Sequence, residues 1–310
     1  MQLTDQTLRS FSYLTRKLPY HRKLNQLYKH FNRMFLALGA KSIVNAKMKD
    51  GTTILADLTT RTERISFYTG KYDPDFIGII QNLFNPNDCF LDIGANIGFY
   101  SVSMGHFIRS KNGGGKVISF EPFEGNYSRL INNLEVNDLL DICHPNKFGL
   151  SNKSDETFIT LREDFKHGSS TGNAAIPTSK TFDEGFKLSP IKLEVLDEFW
   201  KNSTFVNDKI DMVKMDIEGH EDFCLEGGLE TFKKHRPTIL MEVNKPYYVS
   251  RQVELDTRFL PLIPKDYNIY RMIGKYWVRI DSLNACKNLD NVFLVPHEKL
   301  SMEAYGLFRD

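Results

Sequence analysis

The stretch FLDIGANIGFYSVSMG, residues 90–105, combines residue types that are typical of a ligand-binding turn. An apolar run leads into four small or polar residues at alternate positions, which are Asp92, Gly94, Asn96 and Gly98. A helical pattern follows them. Glycines in such a turn let the backbone approach a ligand closely, and the first N–H groups of the helix point toward the same place. The pattern predicts a small-molecule site at the end of a strand.

A second carboxylate, Glu121, ends the next apolar run, KVISFEP. An acidic residue at this position of a parallel sheet accepts hydrogen bonds from ribose hydroxyls. A dinucleotide also needs the spacing G-x-G-x-x-G, whereas here Asn96 stands where the second glycine would be. S-adenosylmethionine has no phosphate and needs a turn for its methionine end, a ribose carboxylate and an adenine pocket. The sequence therefore favours S-adenosylmethionine over NAD.

A third group of charges interrupts the apolar run IDMVKMDIEGHEDF, residues 210–223. Lys214, Asp216 and Glu218 alternate, so they share one face if the strand stays regular. Glu242 lies near the tip of the next predicted strand, in TILMEVN. This pattern predicts a proton-handling or polyol-binding site. The alternative is a buried ion pair between Lys214 and Glu242 that only shapes the strand ends.

The elements that must position these residues alternate between strand and helix. The predicted strands are Cys89–Ile93, Lys116–Phe120, Ile142–Lys147, Met212–Asp216 and Thr238–Val243. This order indicates a parallel sheet with helices on both faces. Two later runs, DYNIYRMI and NVFLVP, suggest a pair of strands that forms a hairpin at one edge of the sheet.

We predict that residues 1–85 form a cap and that residues 86–310 form the main domain. Residues 1–40 have a helical pattern with seven Lys or Arg and one carboxylate. They either cap the main domain or meet anionic lipid or a phosphate-bearing acceptor. A hairpin follows around Asp50-Gly51, a strong tight-turn signal. The polar segment 162–190 is long enough to be a functional lid or an unstructured loop.

Composition excludes several classes of protein. The net charge is +1, so no global field attracts nucleic acid, and we expect no nucleic-acid partner. The four cysteines have no C-x-x-C spacing, which disfavours zinc and a disulfide framework and suits a reducing compartment. No apolar run is long enough to span a bilayer. These features predict a cytoplasmic protein, with peripheral membrane contact through residues 1–40 as an alternative, and leave the oligomeric state open.

Five motifs together carry a family resemblance. In chain order they are LDIGANIGFYS, FEPFEGNYSRLINNLEVN, LEVLDEFW, MVKMDIEGHEDFCLEGG and RPTILMEVN. They resemble the FkbM-type S-adenosylmethionine-dependent O-methyltransferases over roughly residues 50–296. The most specific motif is KMDIEGHE, which is similar to the family signature K-x-D-x-E-G-x-E.

The resemblance implies an α/β fold of the Rossmann-like class I methyltransferase type. Its seven-stranded sheet is mostly parallel, and its last strand inserts antiparallel. The implied activity is methyl transfer to a hydroxyl, commonly on a sugar of a glycolipid, polysaccharide or glycosylated metabolite. A non-sugar small-molecule acceptor and a non-catalytic binding module remain the alternatives.

The resemblance also implies roles for individual residues. The methionine end of the donor would lie against Asp92, Gly94, Asn96 and Gly98, its ribose against Glu121, and its adenine near Gly149 and Ser151. Asp216 and Glu218 would face the acceptor. Asp216 is the first candidate for the base, Glu218 the second and His220 the third, with Lys214 holding the base ionised or orienting the hydroxyl. A divalent cation on Asp216, Glu218 and Glu242 is compatible with these oxygen ligands but not required.

Overall fold

The computed structural model describes residues 3–17, 24–161, 174–176, 187–274 and 276–309. Within these ranges the cap consists of α1 (Leu3–Thr15), α2 (Leu24–Ala37), β1 (Ile43–Lys47), β2 (Thr53–Asp57), α3 (Arg61–Thr69) and α4 (Pro74–Leu83). The hairpin predicted at Asp50-Gly51 is confirmed, since β1 and β2 pair antiparallel as a sheet of their own. The division of the chain into a cap and a main domain at residue 85 stays a prediction.

The remaining elements alternate between strand and helix as far as β11. They are β3 (Cys89–Ile93), α5 (Phe99–Ser110), β4 (Lys116–Phe120), α6 (Glu124–Glu135), β5 (Cys143–Asn146), β6 (Gly149–Ser151), β7 (Asp155–Leu161), β8 (Ala174–Ala175), β9 (Lys187–Val195), α7 (Leu196–Asn202), β10 (Ile210–Met215), α8 (Glu221–Gly227), α9 (Leu229–His235), β11 (Thr238–Asn244), α10 (Lys245–Ser250), α11 (Leu255–Phe259), β12 (Tyr267–Ile273), β13 (Tyr276–Ile280), β14 (Leu289–Pro296) and β15 (Phe308–Arg309).

One large sheet confirms the predicted fold class. Its strand order is β15-β13-β12-β14-β11-β10-β3-β4-β5. The strands from β11 to β5 pair in parallel, and β14 inserts antiparallel between β11 and β12. Seven of the nine strands thus form the expected Rossmann-like methyltransferase sheet, and β13 and β15 extend its edge. The prediction that the two late runs, now β12 and β14, form a hairpin at one edge of the sheet is wrong in one respect. The two strands do pair, but β14 lies inside the sheet because it also pairs with β11.

Strand β3 shows why the central strands of this sheet have mostly apolar sequences. Every residue of β3 is buried, because helices cover both faces of the sheet. Successive side chains enter opposite cores: Phe90 packs in one hydrophobic cluster and Leu91 in the other. The strand can therefore carry a carboxylate only where its interior polar partners accommodate it.

A second sheet of order β6-β9-β7-β8 was not predicted as such. Part of the segment 162–190 belongs to it, because Lys187–Pro190 begin β9 and Ala174–Ala175 form β8. The prediction that the whole segment is a lid or loop is therefore wrong for these residues. The rest of the predicted lid, residues 162–173 and 177–186, lies outside the described residues.

The cap is joined to the main domain by side chains of α6 and by Asn137, two residues beyond the end of α6. Asn133 and Asn137 accept hydrogen bonds from backbone N–H groups of β2, each 2.7 Å long. Glu63 of α3 is fully buried and forms an ion pair with Arg129 of α6. The edge of the hairpin is thus satisfied by a helix that follows the donor turn. No helix in the described ranges is both long and apolar enough to cross a membrane.

Candidate active site

The turn after β3 has a backbone that only small or amide side chains adopt readily. Gly94, Asn96 and Gly98 all have positive φ angles, of 78°, 54° and 91°. A Cβ added to Gly94 would lie 2.0 Å from the backbone oxygen of Asp216. The tips of β3 and β10 therefore touch at this glycine, so the donor turn and the acceptor side of the site share one backbone contact.

Glu121 lies at the end of β4 and lines the cavity above this turn. One carboxylate oxygen accepts a 2.8 Å hydrogen bond from the N–H of Asn96, and the other accepts a 3.0 Å bond from the N–H of Phe123. Burial raises the pKa of Glu121 to about 7, although both N–H donors and Asn126 oppose the rise. These three donors leave lone-pair capacity on the carboxylate for a ligand hydroxyl.

Asp92 was predicted to lie against the methionine end of the donor, and this role stays a prediction. It is fully buried beneath the turn and does not line the cavity; one oxygen accepts a hydrogen bond from Ser101. The other oxygen has no hydrogen-bond partner among the described residues. Burial raises the pKa of Asp92, and the charge of Lys214 opposes this rise. Gly98 also lies outside the cavity lining and shapes the start of α5.

Asp216 and Glu218 of the motif KMDIEGHE lie beyond the end of β10, so they do not share a strand face with Lys214. Strand β10 ends at Met215, and Glu218 has a φ of 56°, so the predicted regular alternation is wrong at this point. The chain turns through Glu218 and Gly219 instead, and this turn brings the carboxylates of Asp216 and Glu218 to the cavity. A Cβ at Gly219 would lie 2.3 Å from Cβ of Tyr247, which explains the glycine.

Lys214 is the cation at the centre of the site. Its Nζ lies 3.2 Å from Asp216 Oδ2 and donates a 3.3 Å hydrogen bond to the backbone oxygen of Gly94. Burial lowers its pKa, but the carboxylates of Asp216 and Asp92 outweigh burial, so the net pKa is raised and the ammonium is favoured. The ion pair of Lys214 is therefore with Asp216, and the alternative pair with Glu242 is not formed within the described residues.

Glu242 completes a cluster of three carboxylates with Asp216 and Glu218. One oxygen from each lies within 4.8 Å of the others. Burial, followed by the charges of Asp216 and Glu218, raises the pKa of Glu242. The protonated form of Glu242 is favoured as a result, so the cluster carries fewer than three full negative charges.

Two residues that the sequence did not single out hold this turn in place. Glu221 is fully buried and accepts hydrogen bonds from the N–H groups of Ile217 and Gly219 and from the hydroxyl of Tyr248. Arg251 donates a 2.7 Å bond to the backbone oxygen of Gly219. The last glutamate of the motif was the available signal for Glu221, whereas Arg251 lies outside every quoted motif.

The predicted adenine contacts divide between the cavity and the layer behind it. Gly149 lines the cavity, and a Cβ there would lie 2.9 Å from Leu193. Ser151 does not line it; its hydroxyl lies 2.9 Å from Nε2 of His220. Burial is the main cause that lowers the pKa of His220 to about 4, so the imidazole is neutral at pH 7.

The cavity itself measures about 1060 Å³, counted with its opening to solvent. Apolar residues of the second sheet, Ile159 and Leu193, form one wall. Thr62 of α3 and Tyr72, which precedes α4, line it from the side of the cap. These two cap residues were missed, because they precede the donor motif that starts at residue 90 and carry no local signal.

The residues present fit S-adenosylmethionine. Glu121 lines the cavity at the end of β4, and a carboxylate there can accept hydrogen bonds from ribose hydroxyls. Gly149, Ile159 and Leu193 leave an apolar slot beside it, as an adenine ring needs. Gly94 and Asn96 line the cavity on the other side of Glu121, where the methionine end would meet backbone.

Several solved structures to which this chain is similar are methyltransferases. A structure of methyltransferase FkbM from Methylobacillus flagellatus KT is 18% identical with a TM-score of 0.41, and the match covers 78% of this chain and 55% of that one. The chain thus spans little more than half the length of this relative. TYW2 from M. jannaschii in complex with AdoMet is 12% identical (TM-score 0.38; 83% and 85% covered). The O-methyltransferase from Bacillus cereus in complex with SAH is 11% identical (TM-score 0.38; 92% and 95% covered). No curated protein matches the sequence.

The family comparison covers the site except for the two cap residues, Thr62 and Tyr72. The family model described as Methyltransferase FkbM domain matches residues 92–267, which are more than half of the 310 residues. This range is narrower than the resemblance over residues 50–296, but it includes the donor turn, Glu121 and the KMDIEGHE motif. The chain belongs to the FkbM family of S-adenosylmethionine-dependent methyltransferases.

Proposed function

We propose that the protein transfers a methyl group from S-adenosylmethionine to a hydroxyl of a sugar-containing acceptor. The observation that carries this proposal is the cluster of Asp216, Glu218 and Glu242, whose oxygens lie within 4.8 Å of one another; Asp216 and Glu218 line the donor cavity. Carboxylates bind sugar hydroxyls well, and one of them can remove a proton. The aromatic rings of Tyr72 and Tyr100 line the same cavity and offer apolar surface to a sugar ring.

Alignment supplies much of the rate in this reaction. The donor, when bound, provides an electrophilic methyl group on a sulfonium, and displacement needs the acceptor oxygen in line with it. Orienting two reactants can contribute about 7–11 kcal/mol to the lowering of a barrier. In this chain the contact of Gly94 with the backbone of Asp216 fixes the donor turn against the acceptor carboxylates.

Asp216 is the proposed base that takes the proton of the acceptor hydroxyl. It lines the cavity and is about one third exposed, so a substrate can reach it. Lys214 forms a 3.2 Å ion pair with it and can orient the acceptor hydroxyl beside it. Glu218 is the second candidate. His220 is the third, because an imidazole with a pKa near 4 that is bonded to Ser151 is a weak base at pH 7.

A divalent cation is not required in this proposal. The cluster of Asp216, Glu218 and Glu242 offers hard oxygen ligands. However, the ammonium of Lys214 already lies against Asp216 and supplies the positive charge that such a cluster needs. The cation is therefore an alternative, and a chelator distinguishes the two.

The acceptor class is tested by incubating the protein with S-adenosylmethionine that carries a labelled methyl group. Separate reactions contain extracted glycans, glycolipids and sugar nucleotides, and mass spectrometry detects the added methyl group. We expect label on a sugar hydroxyl, and none with the Asp216→Asn variant. Label only on molecules without a sugar would favour the non-sugar alternative. Donor binding without transfer to any fraction would favour the binding module.

The proposal also concerns location. We propose that the protein acts in the cytoplasm and has no nucleic-acid partner, and that its basic N-terminal helices contact a membrane or a lipid-linked acceptor at its periphery. Seven Lys or Arg against one carboxylate in residues 1–40 support this contact. Sedimentation with anionic vesicles at low and high salt tests it, since binding through charge weakens with salt.

A further inference from the structure

A second cavity lies directly behind the donor cavity and shares a wall with it. It measures about 740 Å³, counted with its opening, and runs between the tip of the β1–β2 hairpin, α4 and the start of α5. Tyr72 and Phe99 line both cavities. Their rings stack with centroids 3.9 Å apart and an angle of 6° between the planes. A ligand in the second cavity therefore touches the wall of the donor site.

The mouth of this cavity is cationic. Lys49 of the hairpin tip and Lys71 of the α3–α4 turn line it, and both are exposed. A Cβ at Gly70 would contact Cγ of Lys49 at 3.1 Å and Cδ of Arg16 at 3.3 Å, so the end of α1 reaches the same place. The Lys49 ammonium donates a 2.9 Å hydrogen bond to the backbone oxygen of Arg16, and within the described ranges neither lysine forms an ion pair. Asp50 also lines this cavity, but one carboxylate oxygen accepts hydrogen bonds from Thr52 of its own turn and the other accepts a 3.4 Å bond from the hydroxyl of Ser103.

The floor of the cavity is apolar and kept open by a glycine. Met48, Ile54 and Ile77 line it. Gly78 lies inside α4, where glycine is less stable than alanine. A Cβ at Gly78 would meet nothing within 4 Å, so neighbouring protein atoms do not require the glycine. A ligand that passes close to α4 would account for it.

We propose that this cavity is an acceptor subsite for a phosphate group attached to the sugar that is methylated. The phosphate lies between Lys49 and Lys71, which bind it as point charges. The sugar reaches past the edge of Tyr72 toward Asp216. The acceptor is thus a glycosyl phosphate, carried either on a lipid or on a nucleoside. This inference rests on the proposed transfer to a sugar hydroxyl and adds the charge of the substrate to it.

The test measures binding rather than turnover, with the full chain saturated with S-adenosylhomocysteine. The probes for calorimetry are glucose 1-phosphate, UDP-glucose, glucose and inorganic phosphate. A second arm sediments the protein with phosphatidylcholine vesicles that contain undecaprenyl phosphate. We expect phosphate-bearing probes to bind at least about 10-fold more tightly than glucose, as charge-assisted contacts imply. Binding of UDP-glucose alone indicates a nucleoside carrier, and sedimentation with the phosphate-containing vesicles alone indicates a lipid carrier.

Two variants locate the binding. Lys49→Gln with Lys71→Gln should weaken phosphate binding by about 10–100-fold, while Lys265→Gln, an exposed lysine before β12, should leave it unchanged. Gly78→Leu should fill the cavity and weaken binding without lowering the melting temperature, because leucine favours a helix. Affinity for S-adenosylhomocysteine should stay the same in all three.

The proposal is overturned if no phosphate-bearing probe binds, if glucose binds as tightly as its phosphate, or if binding survives both the lysine and the glycine variants. Failure of the proposed function has a different signature. In that case phosphate compounds bind and depend on Lys49 and Lys71, but no sugar hydroxyl is methylated.

Discussion

The carboxylate of Glu121 accepts a 2.8 Å hydrogen bond from the backbone N–H of Asn96. This bond joins the end of β4 to the turn after β3, so the residue expected to hold the ribose also supports the turn expected to hold the methionine end. A change at Glu121 therefore acts on both parts of the donor site.

Glu121→Gln should weaken binding of S-adenosylmethionine and of its demethylated product. The variant loses charge-assisted hydrogen bonds worth about 1.5–3 kcal/mol, or roughly 10–150-fold in affinity. Calorimetry measures the change, and circular dichroism checks the fold. Glu124→Gln, on an exposed residue three positions later, is the matched control. Equal affinity in the Glu121 variant and the parent would show that another group holds the ribose.

Donor binding should depend on pH through the same carboxylate. Burial raises the pKa of Glu121 to about 7, so the acceptor form appears only as the pH rises through this value. We expect affinity for S-adenosylhomocysteine to increase from pH 5.5 to 8 and the increase to be smaller in Glu121→Gln. Glu221, whose pKa burial also raises to about 7, is present in both proteins and cancels in the comparison.

The stability of the free protein should respond in the opposite direction. The folded pKa of Glu121 lies above its unfolded value of 4.5. The folded state then binds the proton more tightly, so this contribution is fully present below pH 4.5 and is lost as the pH rises through about 7. Chemical denaturation of parent and Glu121→Gln across this range measures the difference. An identical pH dependence in both would contradict the raised pKa.

Asp216→Asn should reduce turnover by about 10²–10⁴-fold, because the amide cannot take the proton of the acceptor. Donor affinity should stay nearly unchanged, since the contact with Gly94 uses the backbone of Asp216. Single-turnover kinetics and calorimetry separate the two effects. If more than a tenth of the turnover remains, Glu218 takes the role, and Glu218→Gln is the next variant.

Treatment with EDTA should leave methyl transfer unchanged, because Lys214 supplies the cationic partner of Asp216. Activity before and after chelation, and again after addition of Mg²⁺, is the measurement. Loss on chelation with recovery on Mg²⁺ would identify Asp216, Glu218 and Glu242 as metal ligands instead.

Glu63→Ala should destabilise the protein by about 3–5 kcal/mol, because it leaves Arg129 without its buried partner. Glu63 is fully buried, and Arg129 also donates a 2.9 Å hydrogen bond to Leu55 of β2. Denaturant unfolding measures the loss. Glu124→Ala, which breaks an exposed pair with Lys147, should leave the free energy of unfolding nearly unchanged. A similar result for both variants would mean that the buried pair adds nothing.

The sequence predicted best what depends on local pattern. The bounds of β3 and β4 follow from apolar runs that end in a carboxylate, and the structure reproduces both. The sequence was a poorer guide to features that depend on backbone turns. Asp216 and Glu218 were expected on one face of a strand, but the chain leaves β10 before Asp216. Asp92 is buried beneath the turn, where Ser101 of α5 binds it, and its expected contact with the donor stays a prediction.

Contacts between distant segments were out of reach of pattern alone. Tyr72 enters the donor cavity because the cap docks on Asn133 of α6 and on Asn137 just beyond it, and no spacing in the sequence encodes this approach. The pairing of β6, β7 and β9 was equally hard to predict, because the run TFITL was the one signal of a strand in that region.

The pair of Glu63 and Arg129 also sets an order of events during translation. The two residues are 66 positions apart. At 5–20 residues per second a ribosome needs roughly 3–13 s to make the intervening chain. During that interval the nascent cap holds a carboxylate that can be buried only after α6 has emerged. We expect a ribosome-bound chain that stops before Arg129 to be cut readily by protease within α3, and a chain extended well beyond α6 to resist. Closure of the cap therefore follows the synthesis of the donor turn, which lies between the two residues in the sequence.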